Sequence, residues 1–251
     1  MIIQIIGLPG AGKTTLAKAL MEHVDAVHLN ADQVRLDLNK DLKFSPEDRQ
    51  ENARRLGAVA RLLRAQGRVV IVDFVCPTEK TRRAFGTPDF LIWMDTLTES
   101  PYKDTNDIWM DPEKWDIRIS KGLSVEEEVE LIITQTGLHD WKKPTTLMLG
   151  RYQPWHEGHQ ALYLEAQNRT PQVMIGVRNT YKTSSKDPLT FSEVKNYVKK
   201  EPEMKDSMII RLPNITNIVY GRDVGYKIEQ VELDAETEAI SATQKRKEMG
   251  I

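Results

Sequence analysis

The stretch Gly7-Leu8-Pro9-Gly10-Ala11-Gly12-Lys13-Thr14 constrains this chain more than any other. It fits G-x-x-x-x-G-K-[ST], follows the apolar run 2–6 and opens a helical pattern over 14–21, so it reads as the turn between a first strand and a first helix. Glycines let such a turn point its N–H groups inward, and the helix behind it carries roughly half a positive charge at its N-terminus. A group of linked phosphates fits that environment. Lys13 is then placed to bridge β- and γ-phosphates, Thr14 to ligate Mg²⁺, and Gly7, Gly10, Ala11, Gly12 and Thr15 to complete the loop around the nucleotide.

The rest of the first half alternates short β-rich runs with helical patterns, the habit of a parallel sheet wrapped by helices. Strands are predicted at 26–29, 69–73 and 90–94, and a long amphipathic helix at 46–66 with Ser45 as its N-cap. Over 95–115 the periodicity disappears among Thr, Ser, Pro, Asp and Asn, which predicts a mobile surface loop acting as a lid. Ser124 caps an acidic helix through 134, and the polar stretch 137–144 marks a domain boundary. A second α/β sequence follows, with strands at 146–149, 173–177 and 208–212 and helices from Gly158, near 192–199 and from Ser241. The expected domains are therefore 1–140 and 145–251.

Composition excludes several classes. The chain has 251 residues, 40% hydrophobic and 29% charged, enough apolar material for a core in each half. A formal charge of -2 and a pI near 6.3 give no global positive field, which argues against a nucleic-acid partner. The single cysteine, Cys76, has no partner for an internal disulfide. No apolar stretch nears the roughly 20 residues of a membrane helix, and no signal segment precedes the first motif, so a cytoplasmic protein is expected.

Beyond the loop, Leu29-Asn30-Ala31-Asp32-Gln33-Val34-Arg35 is followed by the run Phe44-Ser45-Pro46-Glu47-Asp48-Arg49-Gln50-Glu51-Asn52 and by Phe74-Val75-Cys76-Pro77. Together with the loop these segments resemble adenylylsulfate (APS) kinases over about the first 85 residues. The resemblance implies that Asp32 is the acid/base and metal-organising carboxylate, that Arg35, Arg49 and Asn52 hold the acceptor nucleotide, and that Phe44 stacks on its base. Phe74, Val75 and Cys76 fall in the same acceptor region. The residue types suit those roles: a carboxylate after the second strand can take a hydroxyl proton, and guanidinium planes match sulfate or phosphate oxygens. Asp32 as a helix N-cap and the arginines as solvated helix charges are the bland alternatives. The chain departs from the family where Asn30 and Ala31 replace Asp-Gly, Cys76 replaces serine, and Asp73 stands in place of a small residue. Asp73 could organise a magnesium-bound water or simply end its strand. The family's lid signature is also missing; Tyr102-Lys103-Asp104-Thr105-Asn106-Asp107-Ile108-Trp109 stands there instead, offering Lys103 to the phosphates and Trp109 to a base.

In the second half, Leu149-Gly150-Arg151-Tyr152-Gln153-Pro154-Trp155-His156-Glu157-Gly158-His159 and, later, Ile240-Ser241-Ala242-Thr243-Gln244-Lys245-Arg246 resemble the H-x-G-H and I-S-x-T-x-x-R signatures of the nucleotidylyltransferase superfamily. The resemblance implies that His156 and His159 stabilise the triphosphate, that Gly150, Arg151 and Gly158 line its site, and that Ser241, Thr243 and Arg246 grip the β- and γ-phosphates. Asp187-Pro188-Leu189-Thr190-Phe191-Ser192-Glu193-Val194 resembles a segment of archaeal-type nicotinamide mononucleotide adenylyltransferases but lacks its final arginine. Tyr220-Gly221-Arg222-Asp223-Val224-Gly225-Tyr226 reads equally as an acceptor contact or a turn.

The expected fold is α/β in two domains: a P-loop kinase parallel sheet with flanking helices and a smaller Rossmann-like nucleotidylyltransferase domain. The expected function is bifunctional, with ATP- and Mg²⁺-dependent phosphorylation of the APS 3′-hydroxyl in the first domain, a step of sulfate assimilation. The second would transfer a nucleotidyl group from ATP or CTP and release pyrophosphate. Catalysis would fall to Lys13, Asp32, His156 and His159. The rivals are a kinase acting on another nucleotide conjugate made by the C-terminal domain, and a nucleotide-sensing module of weak catalytic power. Small-molecule nucleotides are the expected partners, and a homodimer stays open.

Overall fold

The computed structural model describes residues 1–251 except Tyr181, Lys182, Lys205, Asp206, Tyr220, Asp223, Val224, Ala239 and Ile251. The chain divides into two compact units, Met1–Lys142 and Lys143–Ile251.

The first unit runs β1 (Ile2–Gly7), α1 (Lys13–His23), β2 (Ala26–Asn30), α2 (Ala31–Asp37), α3 (Pro46–Ala65), β3 (Val69–Asp73), α4 (Glu79–Phe85), β4 (Phe90–Asp95), α5 (Lys103–Asn106), β5 (Ile117–Ser120) and α6 (Val125–Thr136). Its strands form one parallel sheet in the order β2-β3-β1-β4-β5. Every residue of β1 is buried, as a central strand covered on both faces requires. Ile3 and Ile5 pack with Leu16 and Leu20 of α1 and Ile132 of α6. On the other face Ile2 packs with Leu56 and Ala60 of α3 and with Val70 and Val72. Each buried Ile, Leu or Val side chain among these contributes roughly 1.5–3 kcal/mol. From β1 the chain moves outward to β2, returns through β3, and then crosses to β4 on the opposite side. A crevice therefore opens at the carboxyl ends of β1 and β3, where open α/β sheets bind ligands.

Four elements of the first unit go beyond the sequence expectation. Helix α2 starts at once from β2, because Asn30 caps it by accepting from the Gln33 N–H at 3.0 Å. Thr78 and Thr81 make a reciprocal capping box for α4. The edge strand β5 buries Ile117 and Ile119 and exposes Arg118 and Ser120. The span expected to be structureless also contains the single turn α5.

The second unit runs β6 (Thr145–Gly150), α7 (Glu157–Gln167), β7 (Gln172–Arg178), α8 (Phe191–Val198), a 3-10 turn at Pro202–Met204, β8 (Met208–Leu212), α9 (Ala235–Glu238) and α10 (Ala242–Met249). Among the described residues its sheet has three parallel strands in the order β6-β7-β8. Met148, Val173, Ile175 and Val177 form one face and pack with Tyr163 and Ala166 of α7 and Val194 and Val198 of α8. Among the described residues of the chain, no helix is long and apolar enough to cross a membrane.

Candidate functional site

The turn between β1 and α1 closes by the Ala11 N–H donating to the Leu8 carbonyl at 3.1 Å. Gly12 caps α1 from the left-handed region, φ 92°, where a side chain would be strained. Lys13 is buried and donates to the Leu8 carbonyl at 2.7 Å. Burial lowers its pKa to about 8, against the opposing pull of the Asp73 and Asp32 carboxylates. Both carboxylates thus act electrostatically on the one lysine.

Asp73 ends β3 in register with Asn30 of β2 and Ile5 of β1, which sets it at the crevice. It is 1% exposed. Thr14 Oγ1 donates to it at 2.5 Å and Asn30 Nδ2 at 3.1 Å, and His28 Nε2 lies at 2.6 Å. An ionised carboxylate only accepts, so the imidazole is the donor in that contact. Burial pushes the Asp73 carboxyl up, but the hydrogen bonds from His28 and Thr14, with the His28 charge and Asn30, outweigh it and hold it below the ordinary value. The result is a buried, ionised carboxylate tied to the hydroxyl that the sequence assigned to the metal.

Asp32 is exposed in the first turn of α2. Because Asn30 is the cap, the N-cap reading of Asp32 falls; its carboxylate stands at the positive end of the helix instead. The acceptor candidates partly converge. The Arg35 guanidinium lies 4.7 Å from the Phe44 ring centroid and that of Arg49 5.5 Å, while the ring itself stays exposed. Arg49 also donates to Asp104 of α5 at 2.9 Å, linking the cluster to the 95–115 span. Asn52 is buried and its side-chain carbonyl accepts from Asn39 at 2.8 Å, so that oxygen is engaged in bracing the α2–α3 loop. Phe74 packs against Phe85 with centroids 5.5 Å apart, next to Val75 at the end of β3. Cys76 departs from its expected role as an acceptor contact through its side chain. Its thiol is 2% exposed, lies 3.6 Å from Gln4 Nε2 and 3.7 Å from Thr81 Oγ1, and is pushed by burial to about 12. Of the residues expected to form a lid, Lys103 is exposed on α5, whereas Trp109 stacks under Arg82 at 5.9 Å and donates to Asp111 at 2.8 Å.

Residues 1–102 match the adenylylsulphate kinase family. An adenylyl-sulfate kinase of Paraburkholderia xenovorans is 47% identical over 88 residues, 33% of this chain and 49% of that protein. One from Bacillus licheniformis is 46% identical over 86 residues, 32% of this chain and 44% of the relative. The chain thus spans about half the length of the curated relatives it matches. Among solved structures, an APS kinase of Mycobacterium tuberculosis is 30% identical, covers 54% of this chain and 95% of its own, and superposes with a TM-score of 0.45. The same kinase in complex with AMPPNP and APS gives 26% and 0.46 over 54% of this chain and 96% of its own.

The adenylylsulphate kinase match takes in the phosphate turn, Asp32, Arg35, Phe44, Arg49, Asn52 and Asp73, and stops before α5. The sequence reading left two residues of this segment outside its site. Asp73 reads from the sequence equally as a strand-end turn former, and no motif marks His28. The available signal for His28 was its place two residues before Asn30, on the same face of β2.

In the second unit, His156 caps α7 and His159 lies in its first turn. Their rings stack with centroids 3.7 Å apart, and Tyr152 and Trp155 pack on His159 at 5.0 and 5.4 Å. Gly158 makes room for the stack, since a Cβ there would meet His156 Cε1 at 3.1 Å. The Nδ1 atoms of both histidines, the Tyr152 hydroxyl and the Trp155 Nε1 are buried without a hydrogen-bond partner among the described residues. Burial lowers His159 to about 3 and also lowers His156, so both rings are neutral near pH 7. Each can then donate one N–H to an anion without a fixed charge.

The two C-terminal signatures meet through Arg246, which donates to the Gln153 carbonyl at 2.6 Å and Thr243 Oγ1 at 3.0 Å, and through Lys245, which pairs with Glu157 at 3.0 Å. Ser241 caps α10 by accepting from the Gln244 N–H. Arg151, which follows Gly150, pairs with Asp187 at 3.3 Å. In the loop 220–226, Tyr220, Asp223 and Val224 lie outside the described residues.

Proposed function

We propose that the first unit transfers the γ-phosphoryl group of ATP to the 3′-hydroxyl of APS, giving 3′-phosphoadenylylsulfate and ADP. The observation that carries this reading is the arrangement of Lys13, Thr14, Asp73 and Asp32 around one phosphate turn, with the Arg35–Phe44–Arg49 cluster in the same segment. Main-chain N–H groups and Lys13 hold the β- and γ-phosphates and neutralise charge that spreads onto the transferring oxygens. Asp32 accepts the acceptor hydroxyl's proton. Phe44, flanked by two guanidiniums, offers a face for the acceptor's base, and Arg35 and Arg49 offer charge to its sulfate and phosphate oxygens.

Magnesium fits the residues present. Among the described residues no group of three or more His, Cys, Asp or Glu side chains is arranged to hold a metal. Mg²⁺ ordinarily uses one or two protein oxygens, phosphates and water, which matches the Thr14 hydroxyl backed by Asp73. Bound there, the ion supplies positive charge to the phosphate oxygens.

The test is product analysis. Purified protein with ATP, magnesium and APS should form ADP and 3′-phosphoadenylylsulfate in equal amounts. ADP formed only with a different nucleotide conjugate would move the acceptor, and ATP binding with no ADP for any acceptor would leave a sensor.

A second reading is favoured by the four partnerless polar atoms around the stacked histidines. The C-terminal unit would transfer a nucleotidyl group from ATP or CTP, with neutral His156 and His159 donating to the triphosphate at the start of α7. Pyrophosphate release that His159→Ala abolishes, while ADP formation continues, is the expected result.

A further inference from the structure

Ala26, His28 and Asn30 alternate along β2, and Ala26 belongs to the hydrophobic cluster that α1 covers, so His28 and Asn30 face α1 as well. On the neighbouring strand Ile71 lies in the same cluster and pairs with His28, and Asp73 stands two residues on, level with Asn30. The imidazole spans that diagonal step and brings Nε2 to 2.6 Å from Asp73 Oδ1. Thr14 of α1 takes the other oxygen, donating to Oδ2 at 2.5 Å.

The donors thus divide the carboxylate between them. His28 is the short donor to Oδ1 and Thr14 the short donor to Oδ2, while Asn30 Nδ2 is shared at 3.1 Å from both oxygens and 3.3 Å from Thr14 Oγ1. A hydroxyl carries one proton and two lone pairs. With its proton on Asp73 and Asn30 beside one lone pair, the Thr14 hydroxyl keeps its second lone pair for a cation. That orientation lasts only while the carboxylate stays put. The terminal torsion of aspartate is broad, so a carboxylate anchored firmly at one oxygen can swing, whereas one anchored at both cannot. Asp73 is 1% exposed, which leaves little water to stand in for a lost donor. Among the described residues His28 makes no hydrogen bond to Lys13 or Thr14, so any influence on the phosphate turn passes through Asp73.

On the reading of Lys13 and Thr14 as the triphosphate and magnesium site, we propose that His28 is a positioning residue for the Thr14 hydroxyl. Its N–H pins Asp73 Oδ1, Asp73 Oδ2 holds the Thr14 proton, and a Thr14 lone pair is left to the cation that accompanies the triphosphate. The effect of His28 is therefore confined to the metal-dependent part of nucleotide binding. Main-chain N–H groups and Lys13 hold the phosphates without it.

The test is calorimetric titration of the full chain with AMPPNP over a range of magnesium concentrations and in EDTA, the first unit's site being the isotherm that Lys13→Ala abolishes. His28→Leu and His28→Phe remove the N–H without and with a ring. Each should raise the magnesium concentration for half-maximal binding about tenfold or more, the usual loss when the partner behind a metal ligand is removed. Affinity in EDTA should change less than twofold. His28→Gln, whose amide N–H can replace that of Nε2, should stay within threefold of the wild type. Beside Asp73→Asn, His28→Leu should add less than twofold, because the route to Thr14 is already cut. A wild-type magnesium requirement in the Leu and Phe variants, a Gln variant as impaired as they are, an equal loss of affinity in EDTA, or a full additional effect beside Asp73→Asn would each overturn the role. Binding as expected with no ADP formed from ATP and APS would keep His28 in this role and remove the APS-kinase reading instead.

Discussion

Asp73 shows how one residue's meaning depends on neighbours that lie far away in sequence. In the sequence it ends an apolar strand and could be a turn former. In space it is the shared acceptor of Thr14, His28 and Asn30, in register with the asparagine that stands where the resembled family carries aspartate. Asp73→Asn, nearly equal in size, should lower kinase kcat by about a hundredfold or more, the usual loss for one preorganised electrostatic contact. Steady-state rates with ATP and APS measure it; a wild-type kcat with a lowered melting temperature would reduce Asp73 to a structural role. Lys13 makes a pH prediction. Its free-state pKa of about 8 lies below the ordinary 10.5, so raising pH through 8 discharges it, and binding an anion must restore the proton. ATP affinity should therefore fall as pH rises above 8, by up to about tenfold per unit. In Lys13→Arg, calorimetric titrations between pH 7 and 9.5 should lose that slope.

At the scale of elements, legibility followed the strength of local signals. The strand 69–73 is legible to the residue because a continuous apolar run ends at Asp73, 208–212 because an apolar run broken only by Arg211 stops at Pro213, and α3 to within one residue because Ser45 caps it. The misses were short. Helix α2 has seven residues and follows its strand without a loop, so no hydrophobic period could develop. Strand β5 has two inward residues, Ile117 and Ile119, after a run dominated by charge and proline. The acceptor cluster was legible as residue types, but its shape depends on how α2 and α3 are joined. Arg35 comes from one helix, Arg49 from the next, and Phe44 from the loop between them. Cys76 could not be read correctly, since its burial comes from Gln4, Thr81 and the Ile6–Trp93 cluster. If the cluster receives the acceptor's base, Phe44→Ala should raise the acceptor KM about tenfold, in keeping with roughly 1–3 kcal/mol for aromatic stacking on a base. The KM for ATP should stay within twofold, and an equal rise in both would mean that the loop itself had collapsed.

At the scale of the whole molecule, the chain holds two sheets with separate hydrophobic clusters, so the stability of each unit can respond to conditions separately. His159 makes the second unit the acid-sensitive one. Its folded pKa of about 3 lies below the ordinary 6.5, because burial in the Tyr152–Trp155 pocket disfavours the charged ring and His156 adds to the effect. Between those two values the unfolded chain binds a proton that the folded chain refuses. Stability is thus full above pH 6.5 and is lost progressively as pH falls toward 3. The loss amounts to roughly 2–4 kcal/mol, with the full shift as its ceiling. A unit of this size has only about 5–15 kcal/mol in total, so its unfolding temperature should fall well before that of the first unit. Scanning calorimetry at pH 7 and pH 4.5 should show one transition moving strongly and one moving less. His159→Gln, which cannot charge, should reduce the shift of the first of these even if it lowers the melting temperature at pH 7. A shift of equal size in the variant would place the acid sensitivity elsewhere in the chain.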